Sequence, residues 1–305
     1  MSGAAAAGEP AVSLVVTSSD DTETLRDCVA SFRRQGPASA LEIIVAHGGS
    51  DHADSAIRAR FPDVRVVRAN HAPSVPHLRA LGLLSARGRL VGMTEDRCTA
   101  GDGWLAAVID LHARCGDRAI GGAVENAAGD RLVDWAVYFC EYGRYMLPLA
   151  AGSCEDVPGL NVSYKREALS DFDDLLRAGT WEPLWHSRLL QRGGTLRRDP
   201  RLVVYQRKRF TVIGFVTERY HYARSYAGQR LAGTSRLRRL VYACGTPLLP
   251  PLVLFRTMRE LLPKRRHRPE LLRAAPYLVL FALVWAIGEC VGYALGPGTS
   301  ARHIK

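Results

Sequence analysis

The chain has 305 residues, 47% of them hydrophobic, which is enough to bury a large core and excludes a disordered polypeptide. Its 41 Lys and Arg against 30 Asp and Glu leave a net charge of +11, which favours partners that carry phosphate: nucleic acid, anionic lipid or a nucleotide. Seven cysteines without a Cys-x-x-Cys pair exclude a zinc ribbon and suit reduced thiols better than a disulfide framework.

The opening residues, 1–10, read as a small-residue tail that lacks the basic flank and apolar core of a secretory signal, so the N-terminal part is expected in the cytosol. Val12 to Val16 is an apolar run with the character of a buried strand. It is followed by capping residues and then Leu25, Cys28, Val29 and Phe32 at helical spacing, ending at Gly36. Leu41 to Ala46 predicts a second strand running into His-Gly-Gly-Ser-Asp, and Asp51 to Arg60 a second helix. Val64 to Val67 predicts a third strand, and a helix with Leu78, Leu81 and Leu84 on one face leads through Gly88 to a fourth strand opening at Leu90.

Alternating apolar strands and helices of these lengths predict an α/β fold with a mostly parallel central sheet, and such sheets bind ligands beyond the carboxyl ends of their strands. Thr17 to Asp20, the segment from His47, and the acids Glu95 and Asp96 all fall at such ends. Neither a Gly-x-Gly-x-x-Gly after the first strand nor a Gly-x-x-x-x-Gly-Lys is present, which excludes the dinucleotide and P-loop frameworks.

From Arg219 to Arg230 basic residues interleave with tyrosines, a pattern that suits single-stranded nucleic acid or lipid headgroups. The apolar segments beyond it decide for an anionic membrane surface and against nucleic acid. Leu240 to Met258 is apolar but broken by Pro247, Pro250, Pro251 and Arg256, and predicts a re-entrant or interfacial helix. Residues 274–296 are nearly uncharged and long enough, at ~1.5 Å per residue, to predict a transmembrane helix. Glu289 inside that span calls for a partner. The expected organisation is therefore a tail over 1–10, a catalytic domain over 11–232 and a membrane-associated helical segment over 233–305.

The stretches "VSLVVTSSDDTETLRDCVASFRRQ", "EIIVAHGGSD", "LRALGLLSARGRLVGMTED", "PGLNVSYKREAL" and "WEPLWHSRLLQRGGTLRRDP", in that order, resemble the family-2 glycosyltransferases over Val12 to Arg230. The resemblance implies the A-type glycosyltransferase fold with a nucleotide-sugar site. In that site Thr17, Ser19 and Asp20 face the base, with His47 where the family usually has an acid after the second strand. Arg79 takes the place of a family arginine near the nucleotide. The family's Asp-x-Asp metal motif falls on Glu95, Asp96 and Arg97. A guanidinium cannot ligate a cation, so two readings stay open. Either Glu95 and Asp96 hold Mg²⁺ or Mn²⁺ while Arg97 contacts the phosphates, or Arg97 replaces part of the ion's charge.

The family's catalytic base is the second acid of a Glu-Asp pair with an arginine six residues on. Here Glu182 and Arg188 keep that spacing, and Trp181 replaces the first acid. Asn161, Trp185 and His186 are the expected acceptor contacts. Gln206 to Phe210, "QRKRF", resembles a Gln-x-x-Arg-Trp motif with Phe for Trp. The implied function is an inverting glycosyltransferase at a cell inner membrane or another membrane, with its catalytic domain in the cytosol. It would use a UDP- or GDP-linked sugar and a lipid-linked or membrane-proximal acceptor. The alternative is a catalytically degenerate nucleotide-sugar-binding scaffold.

Overall fold

The computed structural model describes residues 9–18, 22–69 and 73–304, and resolves two compact units. The first comprises residues up to Glu125 together with Leu147–Gln206; the second comprises Asn126–Met146 and Arg207 onward.

In chain order the first unit begins β1 (Val12–Ser18), α1 (Thr22–Arg33), β2 (Leu41–His47), α2 (Asp51–Arg60), β3 (Arg65–Arg68), α3 (Val75–Ser85) and β4 (Leu90–Glu95). It continues with β5 (Cys98–Ala100), α4 (Trp104–Arg114) and β6 (Ala119–Asn126), after which α5 (Leu132–Glu141) belongs to the second unit. The chain returns with β7 (Gly152–Cys154), β8 (Val162–Lys165), α6 (Asp173–Arg177), α7 (Glu182–Gln191) and β9 (Leu196–Gln206). The second unit then adds α8 (Val212–Arg230), α9 (Arg236–Gly245), α10 (Leu249–Leu261) and α11 (Arg268–Leu295).

Strand order is β3-β2-β1-β4-β8-β6-β9-β5, with β7 paired to β9. β1 is buried along its whole length because it is central, flanked in parallel by β2 and β4. The βα crossovers expected from the sequence account for β1 to β4. Beyond β4 the sheet is mixed, since β8 runs antiparallel to both β4 and β6, and β5 and β7 run antiparallel to β9. This corrects the expectation of a mostly parallel sheet. The strands beyond β4 are joined both by tight reversals and by helical excursions, α4 before β6 and α6 with α7 before β9, which bring the chain back in either direction.

α1 buries Leu25, Cys28, Val29 and Phe32, as its spacing predicts. α3 differs. Its inner face is Leu78, Arg79, Gly82 and Leu83, whereas Leu84 is exposed. A Cβ on Gly82 would come within 2.2 Å of Val15 Cγ1, so only glycine lets α3 approach the central strand this closely. Arg79 lies on the same face, one turn nearer the helix N-terminus and therefore nearer the carboxyl ends of the strands.

The second unit is helical. It takes in α5 and α8 as well as the C-terminal helices, comprising Asn126–Met146 and Arg207 onward. The physical reason is that both α5 and α8 pack their faces on α11.

Candidate functional site

The loop ends of β1 and β4 are tied together by polar contacts. The Asp96 N–H donates to the Thr17 carbonyl (3.0 Å), and the Thr17 hydroxyl to the Thr94 carbonyl (3.3 Å). Ser18 donates its hydroxyl to Asp96 Oδ2 at 2.9 Å. Asp96 is buried, with Arg97 Nε 4.0 Å from its other oxygen, and the Arg97 side chain keeps 29% of its surface exposed. Ser19 and Asp20, expected at the nucleotide base, lie outside the described residues.

Arg79 is the centre of the arrangement. Its guanidinium reaches Glu95 Oε1 at 2.7 Å and Glu182 Oε1 at 2.5 Å, with only 7% of the Arg79 side chain exposed. The chain thus brings together three of the residues picked out from sequence, delivered by α3, the end of β4 and the first turn of α7. Glu182 itself is buried, and a Cβ on Gly159 would come within 3.1 Å of its Oε2, so glycine leaves room for the carboxylate. As the first residue of α7, Glu182 also sits where the helix dipole favours a negative charge. Arg188, which completes the motif spacing, points to Asp174 instead (3.2 Å).

His47 is fully buried. Its Nδ1 accepts from the Gly49 N–H (3.2 Å), which leaves the proton on Nε2 to bond Asp54 (3.2 Å). The Arg58 guanidinium, with help from this histidine, holds the Asp54 carboxyl below the usual range. The His47 ring therefore anchors the loop after β2.

The three residues expected at the acceptor are likewise engaged in support. Asn161 donates to the carbonyls of Ala123 (2.8 Å) and Leu202 (3.0 Å) and accepts from Trp104 Nε1 (2.9 Å), which ties three strands to α4. Trp185 stacks on Phe172 and donates to the Thr180 hydroxyl (3.0 Å). His186 Nδ1 bonds Asp156 at 2.5 Å, so its Nε2 accepts the Tyr164 hydroxyl proton at 2.9 Å. All three residues are at most 1% exposed. Burial, followed by the charge of Glu182, pushes the Tyr164 phenol well above its ordinary value, so it stays protonated as the donor.

Sequence reasoning placed Ser18 within the Thr17–Asp20 loop without its partner Asp96, and missed Gly159, Tyr164 and Asp156. Gly159 and Tyr164 lie inside a motif already singled out, but nothing in the spacing shows that they face Glu182 and His186.

A divalent ion bound at Glu95 and Asp96 is the family expectation. Among the described residues no group of three or more His, Cys, Asp or Glu converges on one point. Glu95 is taken by a guanidinium, and Asp96 turns to Ser18 instead. These donors as folded do not fit such an ion, and no step below passes through one. The positive charge at the site is supplied by Arg79 and Arg97.

No protein-family model and no curated protein matches the sequence. Solved structures do share its fold. Staphylococcus aureus TarS, residues 1–349, in complex with UDP-GlcNAc, aligns with TM-score 0.51 and 12% identity over 66% of this chain and 59% of that one. GalNAc-T7 with UDP, GalNAc and Mn²⁺ aligns with TM-score 0.49 and 15% identity over 72% of this chain and 51% of that one. The chain thus spans less than two thirds of the length of either structure.

Proposed function

We infer that the chain is a membrane-associated, inverting glycosyltransferase of the family-2 kind. It moves a sugar from a UDP- or GDP-linked donor to a lipid-linked or membrane-proximal acceptor, with the catalytic unit facing the cytosol. The observation that carries this reading is Arg79 clamped between Glu95 and Glu182 at the carboxyl ends of the strands. The fold shared with TarS supports it.

The clamp suggests how the chemistry runs. A donor diphosphate entering beside Arg97 competes for the Arg79 guanidinium, which matches phosphate oxygens as well as carboxylates. As Arg79 turns to the diphosphate, Glu182 is released. The acceptor hydroxyl oxygen then bonds to the anomeric carbon from the face opposite the leaving group. The bond from that carbon to the diphosphate oxygen breaks with its electron pair going to the diphosphate, and the hydroxyl proton passes to Glu182. Configuration at the anomeric carbon is inverted.

Glu182→Gln removes the base but keeps the shape. Transfer from UDP-GlcNAc or GDP-mannose into lipid extract, measured on purified protein, is expected to fall ~100-fold or more while nucleotide binding changes by less than about threefold. Unchanged transfer would sink the assignment. A second reading, a nucleotide-sugar-binding scaffold without chemistry, is favoured by one feature: Arg97 stands where the family has an acid. It predicts a folded wild type that binds nucleotide yet neither transfers nor hydrolyses any sugar.

A further inference from the structure

Two helical stretches, Arg236–Lys264 and Arg268–Leu295, are long and apolar enough to cross a membrane. Both belong to the second unit, and the second of them, α11, does not stand alone. α8 runs parallel to it, matched turn by turn. Phe215 meets Phe281 edge-on at 4.5 Å between centroids, and the Arg219 guanidinium lies 3.9 Å from the centre of the Trp285 ring. Ala223 and Ala227 face Gly288 and Gly292, where added Cβ atoms would come within 2.7 and 2.8 Å of the alanine methyls. The α11 segment from Phe281 to Gly292 therefore shares its depth with the α8 segment from Phe215 to Ala227.

That stretch of α8 carries Glu218, Arg219, His221 and Arg224. Glu218 is paired with Lys208 (3.1 Å), and Arg219 with Glu141 of α5 (3.6 Å). If α11 crossed the hydrocarbon, α8 and its ion pairs would be carried in with it, and charged groups are costly there. The opposite side of α11 has the reverse character. Leu272, Val279, Leu280, Leu283 and Ile287 are exposed, and between Ala274 and Gly288 α11 carries no charged residue. α9 and α10, which also pack on α11, and the turn between them expose Leu237, Leu240, Val241, Leu248 and Phe255 beside Arg236 and Arg238.

We propose that the second unit is monotopic: α11 lies along one leaflet of an anionic bilayer, its apolar stripe in the acyl boundary, and does not span it. The basic run from Lys264 to Arg268, with Arg236, Arg238 and Arg273, then meets lipid phosphates, which is the charge complement of that surface. Glu289 is satisfied within the unit, accepting from Trp285 Nε1 (2.7 Å) and the Tyr293 hydroxyl (2.8 Å), and needs no partner across a membrane. This arrangement deepens the membrane association proposed above and rests on it, but not on the transferase chemistry.

The test uses the full chain in sealed vesicles prepared from expressing cells, treated with trypsin from the face that carries the first unit. Cleavage in intact vesicles at both ends of α11, in Lys264–Arg268 and at Arg302, is expected. Protection of one end until the vesicles are lysed would overturn the monotopic arrangement while leaving membrane association in place. Recovery of the chain in the soluble fraction, as a monomer or a dimer of its apolar faces, would overturn both. Purified protein should also bind vesicles of phosphatidylcholine with phosphatidylglycerol at least tenfold better than phosphatidylcholine alone. Leu283→Arg with Ile287→Arg, at exposed positions, should reduce that binding at least tenfold, and equal binding by this variant would count against the stripe.

Discussion

Arg79 is the residue on which the site turns, because one buried guanidinium neutralises two carboxylates from distant parts of the chain. Removing it leaves Glu95 and Glu182 facing each other without a cation, and breaking a buried pair in this way costs ~3–5 kcal/mol. Arg79→Met is therefore expected to lower the denaturation midpoint markedly and to weaken nucleotide binding, and an unchanged midpoint in urea unfolding would show that the clamp does not form. His112 offers a second check, through pH. It is 7% exposed, its Nε2 donates to the Ser163 hydroxyl (2.9 Å), and its Nδ1 has no hydrogen-bond partner. Burial, then the charge of Lys165, pushes the ring down to about 4 from 6.5. The folded state thus binds fewer protons than the unfolded chain between those values, so stability is full above pH 6.5 and is lost as pH falls towards 4, by about 3 kcal/mol. His112→Gln should flatten that slope in unfolding curves taken across the window. Sequence alone marked Arg79, Glu95 and Glu182 as separate site candidates. Their shared contact was hidden because it depends on how closely α3 approaches β1, a distance set by Gly82.

Elements were most legible where a buried apolar run, or the acidic start and basic end of a helix, marks the bounds. α2 has the bounds its sequence predicts, and β1 and β2 extend beyond their apolar runs only by residues already at the site. Legibility failed at β5 and β7, three residues each, which are too short to carry a period. It also failed on α3, where an evenly spaced leucine series suggested a face that the helix does not bury, since the arginine and glycine on the true inner face do not register as apolar. In the second unit the close seam between α8 and α11 makes a sharp prediction. Gly292 lies where a Cβ would come within 2.4 Å of the Arg224 carbonyl oxygen. Gly292→Leu must push the helices apart, at a cost of ~1–3 kcal/mol or more, and should lower the thermal midpoint in detergent, whereas Leu295→Ala at an exposed position should not.

Taken together, a cationic chain builds one unit around a mixed sheet and another around a helix with an apolar outer stripe. The excess of basic residues, which composition could assign only to some phosphate-bearing partner, is assigned by the proposed function to Arg79 and Arg97 at the strand ends and by the proposed monotopic arrangement to a headgroup-facing surface on α9 to α11. Calorimetric titration of the detergent-solubilised full chain with UDP and with GDP, each with Mn²⁺ and with chelator, tests the nucleotide site most directly. Saturable binding of one nucleotide that survives the chelator and is lost in Arg79→Met is the predicted result. Binding of neither nucleotide by the folded chain, or binding abolished by the chelator, would contradict it.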